Sequence, residues 1–142
     1  MVELNVRHLG AWQFEIEARG HRIACDQPEE NGGFDEGMTP PELLLASLGS
    51  CAGYYAVEYL RRNRLAADGV RVRVAAEKAK KPARLDRFVV DVETPAPLPA
   101  EHSKGVEQAV HRCIIHATLL NPPKITTRIR DAGGSHGNPA AA

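Results

Sequence analysis

Residues 43–60, LLLASLGSCAGYYAVEYL, are the most apolar stretch of the chain and set the strongest limit on its fold. From Glu42 to about Arg64 the pattern predicts one helix, apolar on nearly every side until the run RRNR. Helices of that kind are buried on more than one side. The stretch is about long enough to span a bilayer, but it carries Ser47, Ser50 and Glu58, and no second apolar span follows. A core helix is the better reading. In a chain of 142 residues, only a second helix or a second subunit can cover such a helix. Its small residues, among them Ala46, Gly49, Ala52 and Gly53, would let another backbone come close. Pro40 and Pro41 suit the first turn, with Thr39 or a neighbour as the cap.

The segments around this helix have the period of strands. Val2, Leu4 and Val6 alternate with Glu3, Asn5 and Arg7; Trp12, Phe14 and Ile16 alternate with Gln13, Glu15 and Glu17. Gly10 sits where these two should turn, and RGHRIACD predicts a third short strand after a turn at Gly20. Residues 27–39, rich in Pro, Gly, Asn and acids, predict an exposed loop. GVRVRVAAEK (69–78) and RFVVDVET (87–94) predict a long hairpin across the basic turn AKKPARLD. A second helix is expected over about 100–119, on the stripe Val106, Val110, Cys113, Ala117 and Leu120, and NPP ends it. KITTRIRD predicts a last strand. Residues 132–142 hold no core-forming side chains and predict a disordered tail, leaving 1–131 as the domain. Strands and helices in this order define an α+β chain, not alternating βαβ units.

Eighteen basic and eighteen acidic residues cancel, which argues against a nucleic-acid or anionic-membrane partner. No basic-then-apolar leader opens the chain, so three cysteines predict cytoplasmic thiol chemistry or packing, not a disulfide framework. Cys51 and Cys113 each lie on the apolar face of a predicted helix. Singly, each reads as a packed core thiol. Together they make a pair able to form a disulfide once one is oxidised. Such chemistry needs a thiolate, hence a cation to oppose the effect of burial and a carboxylate to aim that cation. Glu42 precedes Cys51 by nine residues, ~13 Å along a straight helix. It therefore acts through a bridging arginine or a break near Gly49, or else merely favours the helix dipole. Cys25 reads as packing. Cys113 and His116 form a C-x-x-H with His111 nearby, but no C-x-x-C or paired-His pattern accompanies it, so no metal is expected. Tyr54 and Tyr55 read as core, with a pocket lining as the alternative.

MTPPELLLASLGSCAGYYAVEYL, followed by HRCIIHATLLNPPKI, resembles the OsmC/Ohr family of thiol-dependent peroxide reductases. GHRIACD and KPARLDRFVVDVE are similar to its OsmC-like branch, and the order of elements agrees with the family's. The resemblance implies antiparallel sheets wrapped around two long central helices in an intertwined homodimer. It implies Cys51 as the peroxidatic thiolate and Cys113 as the resolving partner within one subunit. It also implies Glu42 as the carboxylate holding an arginine from the early strands of the other subunit. Arg19 and Arg22 are the candidates; Arg22, in the strand and not at the turn, is preferred. The substrate would be an organic hydroperoxide and the reductant a dithiol, either a lipoyl protein or a thioredoxin-like one. No metal, flavin or haem cofactor is implied. A different class fits the same residues: a non-enzymatic dimer binding a small apolar or thiol-reactive ligand. A dimer with inert cysteines is the third reading.

Overall fold

The computed structural model describes residues 1–131, so the tail at 132–142 lies outside the described residues. The first three strands form an antiparallel meander: β1 (Asn5–Gly10), β2 (Gln13–Ala18) and β3 (His21–Cys25). The β2–β3 turn takes Arg19 and Gly20 at φ of 54° and 82°. Paired positive φ values suit the right-handed twist of a tight hairpin. Register puts Val6 opposite Ile16 and Ile16 opposite Ile23, while Arg7–Glu15 and Glu17–Arg22 pair on the other face. The alternation seen in the sequence is thus one apolar and one charged face.

Helix α1 (Pro40–Arg62) begins as its sequence predicts, with Thr39 as N-cap and the two prolines in its first turn. Leu48, Ala52, Ala56 and Leu60 are its buried residues. The β4 (Arg71–Lys80) and β5 (Ala83–Glu93) strands form the long hairpin. The expected basic turn is mostly strand, and only Lys81 and Pro82 remain at the tip. β4 lies along α1: a Cβ added at Gly49 would come within 3.0 Å of Val74, and one at Gly53 within 3.4 Å of Val72. These glycines admit the neighbouring strand, so the small-residue stripe serves a sheet and not only a helix.

Two expectations are corrected. The second helix is not continuous: α2 (Ala100–Val110) ends, and α3 (Ile114–Leu120) begins after a break at Cys113, whose ψ is 127°. Extended backbone there cannot continue the helical hydrogen-bond ladder, although the apolar spacing runs through it. The stripe is buried at Val106 and Cys113 but exposed at Leu120, 69%. The last strand is also absent: residues 122–130 form no strand among the described residues, and Ile125 and Ile129 are exposed. Alternation alone makes a strand only where a sheet edge accepts its backbone.

The core sits where α1 meets α2 and the hairpin. Ala56, Leu60, Ala67 and Val106 are buried together, with Val57, Tyr59, Val92 and Leu98 packed around them. Full burial of a leucine such as Leu60 contributes about 1.5–3 kcal/mol. Among the described residues the three-stranded sheet has no such cover. It makes no extensive contact with the helices of its own chain, and Val6 and Ile23 on its apolar face are 56% and 48% exposed.

Candidate active site

The two thiols that the sequence singled out meet. Cys51 lies mid-way along α1, half-buried, and Cys113 is fully buried at the start of α3. The Cys51 sulfur is close enough to that of Cys113 to influence its titration, and both thiols are free. The helix break makes this geometry. As N-cap of α3, Cys113 turns its sulfur to accept the His116 backbone N–H at 3.5 Å. Burial pushes the Cys113 thiol up, and so does the Cys51 sulfur beside it, while the amides of His116 and Ile115 pull the other way. The net direction is upward, so Cys113 holds its proton, while Cys51 is the more accessible of the pair.

Glu42 does not reach the thiols. Its carboxylate accepts the Thr39 N–H at 2.7 Å and the Thr39 hydroxyl at 2.8 Å. The Thr39 amide, then its hydroxyl, and more weakly the charge of Lys78 hold it below the usual carboxylate range against some desolvation. It is ionised, fixed and exposed at the helix start. Arg22 is bound elsewhere within its chain: its Nε donates to Glu17 at 3.1 Å. Arg19 stands at the β2–β3 turn. Both belong to the sheet that stands off α1, so the site residues divide into two sets, Cys51 with Cys113, and the arginines apart.

Cys25 is buried at the end of β3, with its thiol pushed up by burial and by Asp26. Asp26 escaped notice in the sequence. It is fully buried, and its carboxylate accepts the amides of Gln27 at 2.7 Å, Phe34 at 3.1 Å and Glu36 at 3.2 Å. Burial works to raise its pKa, but those amides and the Gln13 side chain outweigh it and hold it below the usual range. A Cβ at Gly33 would collide with the Gln27 carbonyl, which is why the loop closes so tightly around the carboxylate. That loop leads to the Thr39 cap, so Asp26 sets where Glu42 and α1 begin. An acid just ahead of a Pro- and Gly-rich segment was the available signal.

A cavity of about 500 Å³ lies among α1, β5 and α2 and reaches His116, the residue whose amide contacts the Cys113 sulfur; neither thiol is among its lining residues. Leu48 of α1, Val90 and Val92 of β5 and Val106 of α2 form apolar walls; Glu107, His111 and His116 form a polar end. The His111 and His116 rings face each other with centroids 5.1 Å apart. Among the described residues no three His, Cys, Asp or Glu side chains are grouped to hold a metal ion. Tyr54 is exposed and meets Tyr55 edge-on, and no described helix is long and apolar enough to cross a membrane.

The α+β fold thus brings two free thiols, one from α1 and one from the cap of α3, close together. The OsmC-like protein family model matches residues 33–128, most of the chain, and the protein belongs to that family. No curated protein matches the chain in sequence. Solved structures share the fold at low identity. An OsmC-like protein from Mycoplasma pneumoniae aligns with a TM-score of 0.74 at 16% identity, over 86% of this chain and 89% of that one. The organic hydroperoxide resistance protein OhrB of Bacillus subtilis aligns with a TM-score of 0.56 at 19% identity, over 85% and 92%. The OsmC-like hydroperoxide resistance protein from Jannaschia sp. CCS1 aligns at 0.57 and 19%, over 96% and 95%.

Proposed function

We propose that this protein reduces organic hydroperoxides through a cycle of Cys51 and Cys113. The observation that carries this reading is the contact between the two thiols, the half-buried one free to attack and the buried one holding its proton. The Cys51 thiolate attacks the terminal peroxide oxygen, the O–O bond breaks, and an alcohol leaves as Cys51 becomes a sulfenic acid. Cys113 then attacks the Cys51 sulfur, forming the disulfide and releasing water. A dithiol reductant, lipoyl or thioredoxin-like, restores both thiols in the cytoplasm. The apolar walls of the cavity favour substrates with an organic group to bury over hydrogen peroxide.

The cation comes from a second subunit. The uncovered apolar face of the three-stranded sheet and the fixed, ionised Glu42 both support a homodimer in which that sheet brings Arg22 to the partner's Cys51. Sedimentation of Val6→Asn with Ile23→Asn tests the dimer, with dissociation expected. A non-enzymatic binder is the competing reading, favoured by the cavity alone. Free thiols are counted on the reduced protein before and after one equivalent of an alkyl hydroperoxide. Loss of two thiols is expected, abolished in Cys51→Ser, with a trapped sulfenic acid in Cys113→Ser. No loss within minutes would sink the peroxidase reading and leave the binder.

A further inference from the structure

The polar end of the cavity holds a group that the thiol cycle has so far not used. His116 donates its backbone N–H to the Cys113 sulfur, while its ring lines the cavity against His111. The ring Nδ1 of His116 is buried and has no hydrogen-bond partner among the described residues. A buried polar atom without a partner in the fold calls for an explanation, and a proton-transfer role is one that fits its place. Nδ1 is the ring nitrogen on the backbone side of the residue whose amide contacts the Cys113 sulfur.

Disulfide closure has a proton to move. Cys113 starts as a thiol that burial keeps protonated, and a thiol attacks poorly until that proton leaves. Glu107 and His111 are the other titratable side chains lining the cavity among the described residues; α1 and β5 present Leu48, Phe88, Val90 and Val92 there. Neither Glu107 nor His111 hydrogen-bonds the sulfur among the described residues, whereas His116 is bound to it through its amide.

We propose that the His116 imidazole accepts the Cys113 proton as the disulfide closes and returns it to the departing hydroxyl. The inference rests on the Cys51–Cys113 cycle above. The Cys113 S–H and Cys51 S–O bonds break and one S–S bond forms; the Cys113 sulfur is oxidised, the sulfenic sulfur reduced, and hydroxide leaves as water with the transferred proton.

The test avoids peroxide so that it can stand apart from the peroxidase reading. A substoichiometric aromatic disulfide loads Cys51 and releases one coloured thiolate; attack by Cys113 then releases a second. In His116→Gln and His116→Ala the first release should keep its wild-type rate, and the second should slow by roughly 10- to 100-fold. Added imidazole should restore the second phase in His116→Ala, which a merely structural defect would not allow. His111→Gln should leave both phases near wild type. A second phase unchanged in both His116 variants would overturn the proposal. So would equal slowing of both phases without rescue, or no second phase in the wild type. Wild-type protein that closes the disulfide in this assay yet ignores alkyl hydroperoxide would remove the peroxide reading and leave the role of His116 standing.

Discussion

The two halves of the chain are held by different forces. The unit of α1, α2 and the β4–β5 hairpin encloses its own apolar core, with Leu60 and Ala56 fully buried. The three-stranded sheet has backbone pairing, surface ion pairs and the loop around Asp26, but leaves Val6 and Ile23 in solvent. One half is stable by its own packing; the other has a shape that asks for a surface to lie on. The chemistry follows the same division. The thiols sit in the packed half, where a fixed backbone holds two sulfurs together, and the candidate arginines sit on the sheet.

The largest expected effect that sharpens this contrast is Leu60→Ala, which should cost about 2–5 kcal/mol in chemical denaturation, since the site is fully buried. Gly105→Ala comes next. Its Cβ would overlap the Tyr59 ring and hydroxyl, and overpacking of this kind costs about 1–3 kcal/mol. Both should leave hydrogen exchange in the Asp26 loop unchanged; if that loop opened together with the core, the division into two halves would fail.

Acid should act in the opposite place. The Asp26 carboxyl titrates lower in the folded chain than in the unfolded one. The stability it supplies is complete above the ordinary aspartate range and is lost as pH falls through the folded value. The Phe34 and Glu36 amides should therefore lose exchange protection on acidification before the α1 core does, and Asp26→Asn should weaken that pH dependence. The smallest stability effect belongs to Arg22→Ala. Its pair with Glu17 is largely exposed and contributes about 0–1 kcal/mol. The same substitution should nevertheless slow peroxide-driven thiol loss if Arg22 serves a partner's Cys51; an unchanged rate would assign the cation to Arg19 or to neither.

Local periodicity and capping made much of this legible in the sequence. The alternation of Val6, Ile16 and Ile23 with charged neighbours marked the meander, and Thr39, Pro40, Pro41 and Glu42 marked the start of α1. These depend on neighbours along the chain, so the chain itself records them. Cys51 and Cys113 were each placed on an apolar face by spacing, and the resemblance supplied a reason to pair them.

The remainder was settled only by tertiary structure. The break at Cys113 is invisible in the stripe from Val106 to Leu120, because apolar spacing does not report one extended residue within it. The same limit hid the missing strand at 124–130, since pairing depends on an edge elsewhere in the fold. Asp26 became the organiser of its loop only when the distant amides of Phe34 and Glu36 converged on it beside that of its neighbour Gln27. Sequence alone determined the meander, the start of α1 and the apolar positions along the chain, because those choices are local. The thiol contact, the cavity and the lone nitrogen of His116 needed the fold, because distances between remote segments are set by packing and by nothing written along the chain.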